Sequence, residues 1–182
     1  MRADARRNYE RLLAAAEELF RRDGTEASLE EVARTAGVGI GTLYRHFPTR
    51  DALLEALLRE QFEGLRAAAE QLTELPPEQA LTELLALFTE RITQYRGLPA
   101  SALAVLRTPG SALYEACHAM NDAGRRLVEH LQRAGVVRAD VPALDVLALA
   151  ASVAWLGEQS GDLEQRERLL RVVTDGFSAR SS

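Results

Sequence analysis

The sequence predicts an all-α protein, and three observations carry that expectation. Apolar residues recur at three- and four-residue spacing through most of the 182 residues. Turn and breaker residues punctuate those stretches, as at Asp23-Gly24, Pro76-Pro77 and Gly135. No run alternates as a half-buried strand would, and no internal repeat or low-complexity tract interrupts the pattern. With 47% hydrophobic residues the chain can bury the core of one or two small domains.

Taken in order, the first helix is expected from about Asn8 to Arg22. Tyr9, Leu12, Leu13, Ala16, Leu19 and Phe20 form its single apolar stripe. Arg2, Arg6 and Arg7 precede it, either as an arm toward phosphates or as a frayed basic tail. The stretch Ser28 to Arg50, SLEEVARTAGVGIGTLYRHFPTR, then reads as two short helices joined by a tight turn. Ser28 and Glu31 have the spacing of a capping box, in which cap hydroxyl and third-residue carboxylate each take one orphaned backbone N–H. Leu29, Val32, Ala33 and Ala36 give the first of these helices one apolar side, and Gly37 ends it in a left-handed conformation open to glycine. Val38, Leu43 and Phe47 can bury the inner side of the second helix, expected at about 39–46. Ile40, Gly41, Thr42, Arg45 and His46 are left on the outer side. Pro48 ends it and Thr49 caps the next. This is a helix-turn-helix whose second helix could enter a DNA major groove.

The run A-G-V-G-I-G-T-L-Y-R-H-F-P-T-R-D-A-L, Ala36 to Leu53, resembles the TetR family of bacterial transcriptional regulators. The specific part of the resemblance spans roughly Tyr9 to Leu58 and includes Leu19-Phe20, Gly24-Thr25 and the Ser28 cap. The resemblance implies an N-terminal three-helix DNA-binding domain, residues 1–50, and a C-terminal helical effector-binding and dimerisation domain, residues 51–182. Chemistry suggests roles within the reading head. Gly39 and Gly41 permit close backbone approach, and Ile40 can touch a thymine methyl. Thr42 offers methyl and hydroxyl, and the Arg45 fork matches guanine O6/N7 or a phosphate. Tyr44 and His46 resemble family positions that contact mainly the DNA backbone. Arg50 fills the family's basic position at the fourth helix, where Lys is more frequent, and the two differ in hydrogen-bonding geometry. Ser28 can donate to phosphate as well as cap, and Thr49 completes the expected interface. Each has a plainer reading: Tyr44 as partial core, His46 as a residue favoured by a helix C-terminus.

Net charge is −5, unusual for a chain that meets phosphates, but its distribution is uneven. Residues 1–50 hold nine Arg against eight acids, while residues 51–182 hold thirteen Arg against nineteen. The front can meet DNA while the back repels it. Cys117 is the one cysteine, which excludes an intramolecular disulfide and suits a reducing interior. No leader opens the chain, because Arg2, Asp4, Arg6 and Arg7 interrupt any apolar run, and Val141 to Gly157 is short for a membrane span. A cytoplasmic location is expected.

The fourth helix is expected from Thr49 to about Leu72, its start in the DNA-binding unit and its end in the next domain. Further helices follow at about Pro77 to Tyr95, Ala100 to Leu106, Thr108 to Ala134, Pro142 to Glu158 and Ser160 to Phe177, making about nine. Leu144 to Leu156 is apolar on nearly every side and so needs cover on every side. A second copy would supply it through Leu147, Ala151 and Trp155 together with Leu169, Leu170, Val173 and Phe177, forming a four-helix interface with two-fold symmetry. Completion of the protomer's own core is the other reading. If the resemblance extends this far, a small-molecule pocket is implied, with Phe88, Ile92, Tyr95, Leu103, Leu106, Tyr114, Cys117, His118, Asn121, Trp155 and Gln159 as candidates. The same residues would equally make an ordinary core.

The expected function is that of a dimeric repressor, released from an approximately palindromic double-stranded operator by an unknown small-molecule effector. An activator or a ligand-independent regulator fits the same residues, and a helical protein-interaction adaptor is a more distant alternative. No catalytic nucleophile motif or phosphate-binding glycine loop is present, so an enzyme is not expected, nor a cofactor or a metal. His118 and His130 stand too far apart on one helix to share an ion.

Overall fold

The computed structural model describes residues 2–91 and 108–178, with the side chains of 2, 88–91, 158 and 159 set aside. Among the described residues there are eight helices: α1 Arg2–Asp23, α2 Leu29–Thr35, α3 Ile40–His46, α4 Arg50–Leu72, α5 Pro77–Arg91, α6 Ala112–Arg133, α7 Ala143–Ser160 and α8 Leu163–Phe177. The chain is all-α, as expected; a single antiparallel bridge, Val137 to Ser178, is its one β feature among these residues. The helix expected at Ala100 to Leu106 lies outside the described residues.

Two compact units emerge, one of residues 2–61 with 108–117 and one of 62–91 with 118–178. The division after residue 50 expected from sequence would cut at the start of α4. That helix instead gives Leu53, Leu54, Leu57 and Leu58, all buried, to the first unit before the second begins at Phe62.

In the first unit, α1 buries Leu12, Leu13, Ala16, Leu19 and Phe20, the stripe its periodicity predicts. It starts earlier than expected: residues 2–7 are helical, not frayed. Ion pairs along the helix, Arg7 with Asp4 and Arg6 with Glu10 at 2.9 Å, run through that extension. Gly24 closes α1 at φ +81°, and its N–H donates to the Phe20 carbonyl at 2.9 Å.

The second unit is built on a core from five helices. Ala69 of α4, Leu81, Leu84 and Leu85 of α5, Leu127, Val128 and Leu131 of α6, Val146, Leu147 and Ala150 of α7, and Phe177 of α8 are buried together. The α7–α8 corner is tight for local reasons. Gly161 takes φ +67°, Asp162 caps α8 by accepting the Gln165 N–H at 2.8 Å, and a Cβ at Gly157 would stand 2.7 Å from the Arg166 side chain. Gln132 secures the loop before α7, donating to the carbonyls of Arg138 at 3.1 Å and Val141 at 2.7 Å.

Leu127 is fully buried at the centre of this core. Leu127→Ala is expected to lower the free energy of unfolding by about 2–5 kcal/mol, measured as a shift of the urea midpoint at unchanged slope.

Candidate nucleic-acid interface

The interface is built on the stretch from Ser28 to Arg50. Ser28, extended at φ −66° and ψ 126°, caps α2 by accepting the Glu31 N–H at 3.4 Å. The reciprocal half of the capping box does not form. The Glu31 carboxylate instead takes Arg22 and Arg34, each at 3.4 Å, and the Ser28 hydroxyl donates to Glu30 at 2.9 Å. A hydrogen bond from its own backbone N–H, reinforced by that hydroxyl, holds the Glu30 carboxyl below its ordinary range. Beside it, the Arg22 guanidinium lowers Asp23 in the same way.

The turn and second helix follow from packing. Ala36 caps α2, and Gly37 turns the chain at φ +65° with the Arg11 guanidinium lying over it. Leu43 and Phe47 are buried, fixing the inner side of α3, while Val38 is half-buried. The N-cap Gly39 makes no side-chain cap, and Leu43 and Thr42 donate to its carbonyl at 3.3 and 2.8 Å.

The outer side of α3 presents the groove-facing candidates to solvent. Ile40 is 37% exposed and Tyr44 45%. Arg45 donates to the Thr42 hydroxyl at 2.8 Å, which holds the guanidinium along the helix surface. At both Gly39 and Gly41 a Cβ would meet nothing within 4 Å, so no packing inside the protomer requires glycine there. The bare backbone faces outward.

Three expected contact residues sit less freely. His46 is half-buried, its ring 6.1 Å from Tyr9 and 6.2 Å from Phe47, in an aromatic group that also joins Tyr9 to Phe47 at 5.1 Å. Thr49 is exposed and caps α4 by accepting the Ala52 N–H at 3.1 Å. Arg50 is half-buried, its Nη1 donating to the carbonyls of Thr25 at 2.8 Å and Ala27 at 2.6 Å. The sequence showed the charges of Arg50 and Glu31 but not these partners, which come from a loop more than twenty positions away for Arg50.

The remaining candidates are scattered. Tyr114, Cys117 and Asn121 are half-buried on α6, and His118 is exposed on the same helix. The side chains of Phe88 and Gln159 and the whole of Ile92, Tyr95, Leu103 and Leu106 lie outside the described residues. Trp155 is 59% exposed, so it lines no enclosed space in the protomer. Glu115 and His118 have a Glu-x-x-His spacing, but among the described residues no group of three possible metal ligands includes them. Of the interface candidates, Leu147 and Phe177 belong to the protomer core, Ala151, Leu170 and Val173 pack against it, and Leu169 is half-buried. Trp155, also a candidate, is one of the exposed large apolar residues of α7 and α8, with Leu144, Leu149, Leu156, Leu163 and Val172.

A cleft of about 330 Å³ lies in the second unit, between Ala68, Gln71, Leu72 and Leu75 on one wall and Glu83, Ala86 and Leu87 on the other. None of these was a sequence candidate. Glu83, Ala86 and Leu87 have helical spacing of their own, next to the stripe of Leu84 and Leu85 that signalled the core.

An all-α chain whose helix-turn-helix displays exposed polar and apolar groups over open glycine backbone belongs to the class of helix-turn-helix DNA-binding regulators. Residues 12–57 match the family described as bacterial regulatory proteins, tetR family, and residues 76–179 match the C-terminal domain of SbtR-like transcriptional regulators. The chain belongs to the TetR family of transcriptional regulators, a class without enzymatic activity.

A TetR transcriptional regulator from Streptomyces coelicolor is 36% identical, with 95% of this chain and 99% of that one covered at a TM-score of 0.75. A TetR regulatory protein from Mycobacterium vanbaalenii is 32% identical over 97% and 98% of the two chains, at 0.65. A helix-turn-helix-type transcriptional regulator of Staphylococcus aureus is 43% identical over 54 residues. That match spans 29% of this chain and 29% of the curated relative.

No described helix is long and apolar enough to cross a membrane. The open space at Gly41 separates folding from recognition. Gly41→Ala is expected to leave the melting temperature unchanged or raise it, since alanine favours a helix by up to about 1 kcal/mol, while weakening DNA binding through the added methyl. Thermal denaturation and fluorescence anisotropy on one preparation check both.

Proposed function

We propose that this protein is a homodimeric repressor that binds an approximately palindromic double-stranded operator and leaves it when a small-molecule effector binds the second unit. The observation that carries the reading is the outer side of α3. There Ile40, Tyr44 and Arg45 stand exposed and Thr42 half-buried beside the open backbone of Gly39 and Gly41, on a helix pinned from inside by Leu43 and Phe47. Ile40 and the Thr42 methyl suit thymine, Arg45 suits guanine or phosphate, and the Tyr44 hydroxyl suits phosphate.

Four surface arginines of the first unit, Arg6, Arg7, Arg22 and Arg34, are held by nearby carboxylates, as in Arg22 with Asp23 at 2.6 Å. Exposed pairs of this kind contribute little to stability, so exchanging a carboxylate for a phosphate costs little. Ser28 would likewise turn its hydroxyl from Glu30 to phosphate. Binding is therefore expected to be strongly salt-dependent.

Dimerisation is supported by the apolar side chains left uncovered on α7 and α8, with Trp155 59% and Val172 67% exposed. Paired across a two-fold axis, two reading helices about 34–36 Å apart would meet successive major grooves. The cleft between Leu72 and Leu87 has apolar walls with Gln71 and Glu83 as polar groups, a composition suited to a small organic effector. An effector preferring a different separation of the reading heads would shift the population by its differential affinity alone. Such a regulator works in the cytoplasm, beside its operator.

The test is anisotropy with DNA from beside the protein's own gene and with a genomic fragment library, titrated across salt against random competitor. Competitor-resistant binding is expected, with Arg45→Ala weakening it at least about tenfold. Absence of binding to any fragment at any salt would overturn the regulator reading in favour of a protein-interaction adaptor. Trp155→Glu is expected to convert dimer to monomer in analytical ultracentrifugation with helical content retained; an unchanged dimer would exclude this face.

A further inference from the structure

We propose that Arg50 acts as a positioning residue that closes the helix-turn-helix at its base, tying the start of α4 to the loop that launches α2. This rests on the DNA-binding reading and assigns Arg50 a part other than the phosphate contact expected from sequence.

The geometry is specific. Arg50 is the first residue of α4, and its single Nη1 donates to two carbonyls, Thr25 at 2.8 Å and Ala27 at 2.6 Å. Thr25 is the one buried polar residue of the described chain, and Ala27 is buried too. Both carbonyls lie in the turn that follows Gly24, where Ala27 N–H donates to the Gly24 carbonyl at 3.1 Å. Buried carbonyls need donors, and a charged donor makes a stronger bond than a neutral one.

Arg50 also needs those carbonyls. A cation at the first residue of a helix opposes the helix dipole, and partial negative charge from two carbonyls offsets it. The carboxylate of Glu30 adds to that field, since the positive charge of Arg50 helps to hold Glu30 ionised.

The consequence is topological. Residues 28–49 contain all of α2 and α3, and they begin directly after Ala27 and end directly before Arg50. One guanidinium therefore joins the two ends of the segment that reads DNA, making it a closed loop. A loop closed at its base loses the freedom to hinge about either end. The reading pair then follows α4 as one piece, and Arg50 influences α3 without touching the DNA groove itself.

The experiment compares the unsubstituted protein with Arg50→Gln and Arg50→Lys, at a temperature where circular dichroism shows all three folded. Hydrogen exchange on the free proteins is read together with operator affinity across a salt series. For R50Q, amides between residues 25 and 49 are expected to exchange about tenfold faster or more, while those of Leu12 to Phe20 in α1 stay protected. Operator affinity is expected to fall about tenfold at every salt concentration, with the slope of log affinity against log salt unchanged.

R50K keeps the charge on a single flexible ammonium and is expected to give intermediate protection; it also carries the measurement should R50Q fail to fold. Unchanged exchange in residues 25–49 overturns the proposal whatever the affinity does. A salt slope reduced by about one also overturns it, because that marks a lost phosphate contact. If the unsubstituted protein bound no DNA, the DNA-binding reading would fall and the exchange data would decide the closure by themselves.

Discussion

The burial of Leu43 and Phe47 is the constraint on which the reading surface depends. A helix of seven residues is too short to hold itself in water, because nucleation costs more than its few hydrogen bonds return. Helix α3 exists because its inner side chains are taken into the unit formed with α1, α2 and the start of α4. With the inner side fixed, the direction of every outer residue is fixed as well, since side-chain positions on a helix are tied to one another. Tyr9 extends the same control to the end of α3, where its ring meets His46 and Phe47 and its hydroxyl accepts Arg59 at 3.2 Å.

Electrostatics on the same unit follow a different rule. Its arginines and carboxylates balance almost evenly, and most of the pairs are exposed and local along a helix. Such pairs add little stability, but they keep cationic groups aligned and cheap to release. Arg45 on Thr42 is the neutral version of that arrangement. Arg50 is different in kind: its partners are backbone carbonyls of the turn before α2, not carboxylates.

The second unit carries the corresponding constraint in apolar form. Helix α7 is hydrophobic around most of its circumference, and α5 and α8 cover only part of it. Val146, Leu147, Ala150, Val153 and Ala154 go inward, and Leu144, Leu149, Trp155 and Leu156 remain outside. Gly157 lets α8 approach closely at one end, and Leu163 and Val172 of α8 also remain on the surface. Exposed aromatic and aliphatic groups on two adjacent helices are costly to leave in water, and this cost is the physical ground of the proposed dimer.

Helix periodicity, breakers and caps are local properties, so the sequence by itself determined the all-α class, the inward stripe of α1, the turn at Gly37 and the inner and outer sides of α3. The family was legible through the resemblance of a contiguous run, Ala36 to Leu53, which is likewise local in the chain. What only the tertiary structure decided were partners distant in the chain. Glu31 pairs with Arg22 and Arg34 in place of its capping role, Arg50 finds Thr25 and Ala27, and Leu147 and Phe177 turn into the core while Trp155 turns out. An arginine reads as a charge in any sequence, and an apolar helix reads as in need of cover. Which carbonyl takes the charge, and which side is already covered, depends on how separate helices pack, and that information is shared among residues too far apart for any local pattern to hold.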